Sequence, residues 1–376
     1  MKKIPDIVKK NIDIEHIMHA SCKFGYHYAG VRNSHKIFSL LVSADIHHDE
    51  VRLKRSVDYL NYYECLDGAI CLGDIMAENF AEDDGSWYND VISSSKKPYL
   101  TVIGNHDMGN SDIVSISATR NEAYEKFVKP TEKKMGIEST GKSYFVKDFD
   151  KYKVSLLVLS NYDMPDDIID GEKFSLHRAK RIFSQEQLNW IYQALLNIPT
   201  DHTLIIAFHT LPFLSVTEES VFTQKNPEES APGLTCYGDE NIITDLVDAW
   251  VKGDVKEIEY KPLDEYKELL PTLKLNADFR ARGKGDFACY IGGHTHEDLI
   301  LHSKKYPEQK AILFPSSSAD YWQNYCSDLP RAEGTKSEDC LTVLSLETNK
   351  REIRLVRVGS NFTMDMKERT YFVINY

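Results

Sequence analysis

The sequence predicts an α/β protein whose core is built from strand–helix–strand units around a largely parallel sheet. Short apolar runs, rich in β-branched residues, alternate with segments of helical periodicity, a cadence that is typical of βαβ units. A later stretch of alternating apolar and polar residues indicates antiparallel strands near the end of the chain. The main apolar runs are residues 37–43, 69–72, 99–103, 203–208 and 287–292, and the alternating tail covers 311–314, 341–346 and 351–358.

Length and composition describe an ordinary globular chain. Its 376 residues, 42% hydrophobic and 27% charged, suffice for one large domain or two smaller ones. With 45 basic and 58 acidic side chains the net charge is −13. This balance disfavours nucleic acid and anionic membrane as partners, because both attract basic surfaces. A phosphorylated substrate remains compatible, since bound divalent cations reverse the local field.

The start of the chain and its cysteines predict a cytoplasmic protein. Residues 1–11 are charged and contain Pro5, so they do not resemble an apolar leader, and no run approaches the ~20 apolar residues of a membrane span. The seven cysteines form no C-x-x-C pair, which is typical of a reducing compartment. Cys71 and Cys289 lie inside apolar runs and are expected to be small buried hydrophobes.

Residues 1–34 are weakly patterned and are interpreted as an N-terminal arm, with a catalytic domain over 35–376. Within that domain the first strand is followed by an amphipathic helix over 51–65. A polar helix-like segment over 78–93 separates the next two strands. Residues 108–142 are polar and are expected to form an excursion from the core.

A strand pair and a capped helix are predicted next. Residues 143–147 and 153–159 form the strand pair around a turn at 148–151. Ser184 and Gln187 have the spacing of a capping box, which predicts a helix over 185–197.

Residues 210–284 break the pattern with five prolines and loose periodicity. Helix-like pieces near 240–252 and 262–270 lie within this insertion. A long insertion between two strands predicts a lid, an accessory binding subdomain or a dimer contact.

Polar residues with ligand chemistry follow five of the apolar runs. Open α/β folds place ligands at the carboxyl ends of their strands, so these side chains are expected to meet at one edge. Taken singly, an Asp after Gly is ordinary turn chemistry and a lone histidine is more often a core residue. Five coincidences are much harder to assign to chance. The blocks are Asp45-x-His47, Gly73-Asp74, Gly104-Asn105-His106-Asp107, His209 and Gly293-His294-x-His296.

The donor types indicate metal chemistry. Asp, Asn and His without Cys suit Mn²⁺, Fe, Zn²⁺ or Ni²⁺. Seven ligands drawn from these blocks are too many for one ion with an open position. They suit two ions about 3.5–4 Å apart that share a bridging carboxylate. Such a pair of ions stabilises in-line displacement at phosphorus.

The order and types of these residues resemble the calcineurin-like metallophosphoesterase superfamily, whose signature is D-x-H, G-D, G-N-H-D/E, H and G-H-x-H. All five blocks are present, and the resemblance that they define covers the chain from residue 37 to about 358. Neither residues 1–34 nor the insertion has an assigned match. The resemblance implies a four-layer α/β/β/α sandwich with metals at the carboxyl ends of the strands, and a helical or loop insertion.

The resemblance also implies a role for each site residue. His106 corresponds to the non-ligand histidine that contacts the phosphate and protonates the leaving oxygen, for which imidazole is suited. His48 and Asp107 adjoin ligands and are interpreted as outer contacts or phosphate contacts, or as simple structure. One ion is assigned to Asp45, His47, Asp74 and His296; the second is assigned to Asp74, Asn105, His209 and His294, with Asp74 bridging.

The resulting hypothesis is a dimetal phosphohydrolase, with Mn²⁺ favoured, in which metal-bound hydroxide attacks phosphorus and His106 assists the leaving group. Both a phosphodiesterase and a phosphomonoesterase acting on a small or medium-sized substrate fit the sequence. A nuclease of the same superfamily is less favoured, because no long basic patch is present. The rival from another class is a scaffold protein that keeps the fold without the chemistry. Asn110, Tyr162 and Arg178 are further pocket candidates.

Overall fold

The protein is described by a computed structural model. The predicted N-terminal arm, Asn110 and Arg178 lie outside the described residues. Those residues are 37–77, 85–108, 118–163, 183–211, 241–297, 299–318, 338–359 and 371–376, with short pieces at 168–169, 172–173, 180–181, 213, 215–220 and 234–237.

Strands account for most of the regular structure. All the predicted runs form strands, with ends that differ by one or two residues from the prediction. The strands are β1 (Phe38–Ser43), β2 (Gly68–Cys71), β3 (Tyr99–Thr101), β4 (Phe145–Phe149), β5 (Val154–Val158), β6 (Ile168–Ile169), β7 (Glu172–Lys173), β8 (Lys180–Arg181), β9 (Thr203–Ala207), β10 (Ser215–Ser220), β11 (Leu234–Thr235), β12 (Val255–Tyr260), β13 (Leu273–Asp278), β14 (Asp286–Gly292), β15 (Leu299–Ser303), β16 (Lys310–Leu313), β17 (Cys340–Glu347), β18 (Glu352–Gly359) and β19 (Tyr371–Asn375).

The helices are fewer than the strands. The described helices are α1 (Glu50–Tyr62), α2 (Ser86–Ser93), α3 (Arg120–Ala123), α4 (Lys129–Met135), α5 (Gln185–Asn197) and α6 (Ile242–Lys252). A π-helical turn, Tyr124–Val128, joins α3 to α4, and short 3₁₀ turns occupy His106–Met108 and Asp264–Tyr266.

Instead of one largely parallel sheet, thirteen of the described strands form two large mixed sheets, and the other six pair in three two-stranded sheets. The first large sheet has the order β19-β18-β17-β1-β2-β3 and the second β10-β15-β16-β14-β9-β5-β4. In the first sheet β1, β2 and β3 are parallel, and in the second β16, β14, β9 and β5 are parallel. The remaining pairings in these two sheets are antiparallel. The expectation of a largely parallel sheet thus holds only for one half of the first sheet, which ends at β3, and for the centre of the second.

The core consists of two apolar clusters, because successive side chains along a strand point to opposite faces of its sheet. Leu156 and Val158 of β5 face the cluster that contains the first sheet. Their neighbour Leu157 faces the second cluster, which contains α5 and α6. Successive strand residues point to opposite faces, so the second sheet packs on the first with one face and on helices with the other. With α1 against β1 on the outside of the first sheet, the layers follow the α/β/β/α order implied by the resemblance.

Helix α5 has the predicted bounds, but its capping box is only half formed. The Ser184 hydroxyl accepts from the Gln187 N–H at 2.9 Å. The Gln187 amide, which a capping box would turn back to Ser184, instead bonds both the N–H and the carbonyl of Ser160 at 2.9 Å. The helix start is therefore tied to the end of β5.

Two regions differ from the sequence-based expectation. Residues 120–135 of the predicted excursion are helical, and Thr119 and Glu122 form a complete capping box at their start. In the insertion, α6 is confirmed, whereas 262–270 contains only a 3₁₀ turn and the hairpin of β12 and β13 was not predicted.

The described part of the insertion contributes to the core. Trp250 of α6 is fully buried in the second cluster and its indole N–H donates to the Leu195 carbonyl at 2.8 Å. Strand β10 pairs with β15 at the edge of the second sheet. A lid or accessory role for 210–284 as a whole stays a prediction.

Candidate metal centre

The predicted ligand residues follow the carboxyl ends of parallel strands in both sheets. Asp45 and His47 follow β1, Asp74 follows β2, and Asn105 follows β3 in the first sheet. From the second sheet, His209 follows β9, and His294 and His296 follow β14. Because the sheets pack face to face, these ends converge, and the structure brings all seven side chains together.

Left-handed backbone marks the same residues. Among the described non-glycine residues, positive φ is found at Asp45 (50°), His47 (44°), Asp74 (52°), His294 (72°) and His296 (58°), along with three others. This conformation is uncommon for residues with a Cβ and is strained. Its concentration at five of the seven predicted ligands shows that the backbone is bent to aim these side chains.

The first group of donors consists of Asp45, His47, Asp74 and His296, whose ligand atoms all lie within 4.8 Å of one another. The His47 and His296 Nε2 atoms are 3.2 Å apart. His296 Nε2 is also 3.4 Å from Asp45 Oδ1. Asp45 is further held by the His294 backbone N–H, which donates to both of its carboxylate oxygens at 3.0 Å.

The second group consists of Asp74, His209 and His294, again within 4.8 Å. His209 Nε2 lies 3.2 Å from Asp74 Oδ2 and 3.2 Å from His294 Nδ1. Asn105 Oδ1 adds a neutral oxygen donor at 3.0 Å from His209 Nε2 and 2.9 Å from His294 Nδ1. Asp74 belongs to both groups, which is the position that the resemblance implies for the bridging carboxylate.

Backbone carbonyls fix the tautomers of two of the histidines. His47 Nδ1 lies 3.3 Å from the Met76 carbonyl, and His209 Nδ1 lies 2.7 Å from the Leu72 carbonyl. A carbonyl only accepts, so Nδ1 of each ring is the protonated donor. In the neutral ring Nε2 then carries a lone pair that points toward the other candidate ligand atoms, as it does in metal sites.

The protonation of the imidazoles suits cation binding. Burial lowers the pKa of His47 and of His294 to about 4, so both are neutral at pH 7. Burial alone would also lower the pKa of His209, but the Asp74 and Asp45 carboxylates outweigh it and raise the pKa to about 9. His209 is therefore protonated at pH 7, and a divalent ion bound at Nε2 would replace that proton. Carboxylate, amide oxygen and imidazole donors fit two such ions.

Two glycines of the motifs allow the loops that carry them to lie directly against the carboxylates of Asp74 and Asp45. A Cβ on Gly104 would lie 2.2 Å from Asp74 Oδ1, and one on Gly293 would lie 2.6 Å from Asp45 Oδ2. These separations are far inside van der Waals contact. The glycines of the G-N-H-D and G-H-x-H blocks are therefore required because a ligand of another block packs directly on them.

His106 lies beside the shared carboxylate. Its backbone N–H donates to Asp74 Oδ1 at 2.9 Å, and its Nε2 is 4.0 Å from Asp74 Oδ2. The other ring nitrogen, Nδ1, bonds the carbonyl of Ala77, so Nδ1 carries the proton. His106 Nε2 thus faces the donor groups without belonging to either of them.

Asp107 is an acceptor for the backbone of two neighbouring loops. It is fully buried, and its oxygens accept from the N–H groups of Ile75 (2.7 Å), Met76 (2.9 Å) and Gly104 (2.8 Å). Burial, followed by repulsion from Asp74, raises the pKa of Asp107 to about 7. Of the roles considered from the sequence, the structure places Asp107 in the outer support of the ligand loops.

His48 points elsewhere. Its side chain is exposed, and its ring stacks on Trp87 with centroids 4.7 Å apart and planes at 9°. Its backbone N–H donates to the Ile75 carbonyl at 2.8 Å. Although it adjoins His47 in the chain, His48 thus contacts Trp87 and belongs to neither donor group.

One supporting residue escaped the sequence analysis. Asn161 is fully buried, and its Oδ1 accepts from the backbone N–H groups of His209 (3.1 Å) and Thr210 (3.0 Å). The adjacent Tyr162 hydroxyl bonds Thr210 at 2.7 Å and approaches Asn105 Oδ1 at 3.5 Å. The signal was present, since Asn161 follows the apolar run of β5 just as the ligands follow theirs.

Residues 38–298 match the sequence model of the calcineurin-like phosphoesterase family, over more than half of the chain. The chain therefore belongs to the calcineurin-like phosphoesterase family, and the resemblance seen in its five motif blocks is confirmed. No curated protein matches the chain. In the part of the chain that the structure describes, no helix is long and apolar enough to cross a bilayer.

Several solved structures are similar to this chain at low identity. One described as the structure of PhoD shares 11% identity, with 90% of this chain and 68% of that chain covered and a TM-score of 0.45. The protein TT1561 of Thermus thermophilus shares 11% identity, covering 90% and 99%, with a TM-score of 0.40. The phosphopantetheinyl hydrolase of Mycobacterium tuberculosis shares 14% identity, covering 77% and 92%, with a TM-score of 0.35.

Proposed function

We propose that this chain hydrolyses phosphoric esters with the help of two divalent metal ions. One observation carries the proposal: two groups of convergent donors share the buried Asp74, and His106 lies beside that carboxylate without joining either group. Membership of the calcineurin-like phosphoesterase family supports the same chemistry.

The donor groups specify where the ions would be held. Asp45, His47, Asp74 and His296 would hold one ion, and Asp74 with Asn105, His209 and His294 would hold the second. When bound, such a pair supplies Lewis acidity at the phosphoryl oxygens and lowers the pKa of water. We propose Mn²⁺ ahead of Fe, Zn²⁺ or Ni²⁺, all of which accept this N/O donor set.

His106 is proposed as the general acid. Because Nδ1 donates to the Ala77 carbonyl, the ring is held with Nε2 toward the donor groups. The protonated ring can release its proton from Nε2 to the leaving oxygen while Nδ1 keeps its hydrogen bond. The side chain is almost fully buried, which limits competition from bulk water for that proton.

The proposed substrate is a small or medium-sized phosphate ester. Both a monoester and a diester fit the donor groups, and the charge of −13 disfavours a nucleic-acid substrate. The cytoplasmic location inferred from the cysteine pattern stays a prediction.

The test is turnover of p-nitrophenyl phosphate and bis-p-nitrophenyl phosphate by protein reconstituted with Mn²⁺. We expect turnover of at least one ester, and the better one assigns the ester type. His106→Ala should lower kcat by about 10²–10⁴-fold, the usual contribution of a positioned acid, while metal content stays unchanged.

A matched control is His302→Ala, which removes a histidine of β15 in the second sheet and should keep both activity and metal content. No turnover above the metal-only blank, with two ions bound, would favour the scaffold alternative. Full activity in His106→Ala would show that another group protonates the leaving oxygen.

A further inference from the structure

We propose that a polar cleft at the end of β5 is a second subsite, which binds an anionic, acceptor-rich group of the substrate such as a carboxylate or a second phosphate. This inference rests on the proposed function, since it names a part of the substrate of that site. The cleft is lined by Arg120, Asn121, Lys142, Ser143, Ser160 and Asp163.

The cleft adjoins the metal centre through one short segment, residues 160–163. Ser160 and Asp163 line the cleft. Between them, Asn161 holds the backbone of His209, and the Tyr162 hydroxyl approaches Asn105. With a volume of about 220 Å³, the cleft is smaller than the roughly 300–1,000 Å³ of sites that enclose a whole drug-sized ligand. This volume suits one end of a substrate, and the proposal places the phosphoryl group of that substrate at the donor groups.

A buried hydroxyl at the cleft lacks a protein partner. Ser143 is 7% exposed, and its Oγ makes no hydrogen bond to any residue that the structure describes. Leaving a buried polar group unpaired costs free energy, so native structures usually pair such groups. A ligand atom in the cleft would supply the partner. This is the observation that distinguishes the cleft from an ordinary surface depression.

The lining groups favour an acceptor-rich ligand. Asp163 is the one carboxylate among the lining residues, and both of its oxygens are used: Oδ1 accepts from Arg120 at 3.0 Å and Oδ2 accepts from Ser184. What remains for a ligand is the ammonium of Lys142, the Ser143 hydroxyl and the Asn121 amide. These groups donate hydrogen bonds, and Lys142 carries a positive charge.

Lys142 is available to bind a ligand because its ion pair with Glu186 is weak. Its Nζ lies 3.3 Å from Glu186, whose side chain is 59% exposed. Pairs in such solvated positions contribute little. An anionic ligand group that also reaches Ser143 would replace Glu186 as the partner of Lys142.

The sequence of this loop matches a phosphate-binding pattern, but the structure excludes that geometry. Residues 136–143 read G-x-x-x-x-G-K-S. In a P-loop a strand precedes the glycines and a helix follows, so that the backbone N–H groups cradle phosphate. Here α4 precedes and β4 follows, and the N–H groups of Gly141 and Lys142 donate to the hydroxyls of Ser139 and Thr140. The anion must therefore be bound by side chains.

Paired substrates test the subsite. Alkyl phosphates that end in a methyl group, a carboxylate or a phosphonate are compared over a range of spacer lengths, with phosphate release as the assay. We expect KM for an anionic-ended ester to be about tenfold lower than for the methyl-ended ester of equal length, because one charge-assisted hydrogen bond suffices for that ratio. Whichever anionic end gives the lower KM identifies the chemistry of the natural group.

Three variants assign the effect to the cleft. Lys142→Gln and Ser143→Ala should remove the preference and leave kcat for methyl-ended esters unchanged, whereas Glu186→Gln should strengthen it by removing the competing carboxylate. Lys129→Gln is the matched control, since Lys129 also forms an exposed ion pair, with Glu125, and does not line the cleft. Equal loss of the preference in the control, or no preference in the wild type, would overturn the proposal.

Calorimetry with glutarate separates this inference from the proposed function, because glutarate has no phosphoryl group. Binding to the wild type and to Asp74→Asn, with loss in Lys142→Gln, would support the subsite even if no ester is hydrolysed. A different result would reject the subsite but keep the proposed hydrolase: methyl-ended esters are hydrolysed, anionic-ended esters show no lower KM, and glutarate does not bind.

Discussion

Asp107 shows how a motif residue acts without touching the reacting groups. Its three backbone donors come from the loop after β2 and from the loop after β3, which carry Asp74 and Asn105. One buried carboxylate therefore fixes the spacing of two ligand loops. A residue that merely completed a turn would accept from its own loop alone.

Replacing Asp107 by Asn should destabilise the protein by about 3 kcal/mol. The amide keeps one acceptor and puts an NH₂ group against a backbone donor, so at least one buried N–H loses its partner and the remaining bonds lose the charge. Urea unfolding at pH 8, above the Asp107 pKa of about 7, measures the change. Metal content should fall with it, because the two loops are no longer held together.

Asp58→Asn is the control for Asp107→Asn. Asp58 pairs with Lys54 on the exposed face of α1 at 3.3 Å. We expect a change below about 0.5 kcal/mol there, as is usual for such pairs. A comparable loss in both variants would mean that the buried position of Asp107 adds nothing.

At the residue level the sequence predicts side chains with ligand chemistry and misses backbone groups, which every residue supplies. Asp45, His47, Asp74 and His209 stand out because few buried strands end in such residues. The carbonyls of Leu72 and Met76 orient two histidines, yet a carbonyl leaves no mark on the residue type. These outer contacts become visible only once the chain is folded.

At the level of elements, periodicity locates strands and amphipathic helices better than short polar helices. Helix α5 was predicted to the residue because Leu188, Ile191 and Leu195 form one apolar stripe above a capping serine. Helices α3 and α4 were missed because residues 108–142 are largely polar and their apolar positions are few. The hairpin of β12 and β13 was missed because only Ile258, Leu273 and Ala277 of its strands are buried, and charged residues occur along both strands.

Helix α6 is fastened to its surroundings by Asp245. Its carboxylate accepts from Lys305 at 2.7 Å and from the hydroxyls of Tyr306 and Tyr260, and Lys256 of β12 lies 3.2 Å away. Burial alone would raise the pKa of Asp245, but Lys305, Tyr306 and Lys256 outweigh it and hold the pKa below its usual range. The ionised form therefore stabilises the contact of α6 with the hairpin and with the turn after β15.

The contribution of Asp245 should depend on pH in one direction. A lowered native pKa stabilises the fold above the unfolded-state value, roughly pH 4, and that stability is lost as the pH falls through the native pKa. Asp245→Asn should cost about 2 kcal/mol at pH 7, the range for hydrogen bonds to a charged group. Urea unfolding across this pH range should show the difference from wild type shrinking toward the acidic end.

Asp248→Asn on the same helix is the comparison. Asp248 has a single ion pair in the helix, with Lys252, at 2.6 Å. We expect its replacement to cost less than about 0.5 kcal/mol. A cost for Asp245→Asn that does not change with pH would show that packing, and not the charge, accounts for its effect.

On the scale of the whole molecule, the donor groups join the two sheets. The first group takes Asp45, His47 and Asp74 from the first sheet and His296 from the second. The second group takes Asp74 from the first sheet and His209 and His294 from the other. Each ion would thus connect loops that are far apart in sequence, and metal binding is expected to be coupled to the stability of the entire sandwich.

Metal ions should raise the melting temperature of the protein. A ligand that binds only the native state at a hundred times its Kd adds about 2.7 kcal/mol. With an unfolding entropy of about 2.1 cal/mol/K per residue, this corresponds to a rise of about 3 °C per bound ion for a chain of 376 residues. Thermal unfolding with EDTA and with excess Mn²⁺ measures the shift, and hydrogen exchange should show added protection in the loops after β2 and after β9 alike, because each sheet supplies ligands.

Asp74→Asn should abolish most of this shift, since the same carboxylate serves both groups. Asp278→Asn, which removes an exposed carboxylate of β13, should keep all of it. A full shift in Asp74→Asn would mean that the ions bind elsewhere on this acidic protein. Protection confined to one sheet would show that the donor groups act separately and do not join the two halves of the sandwich.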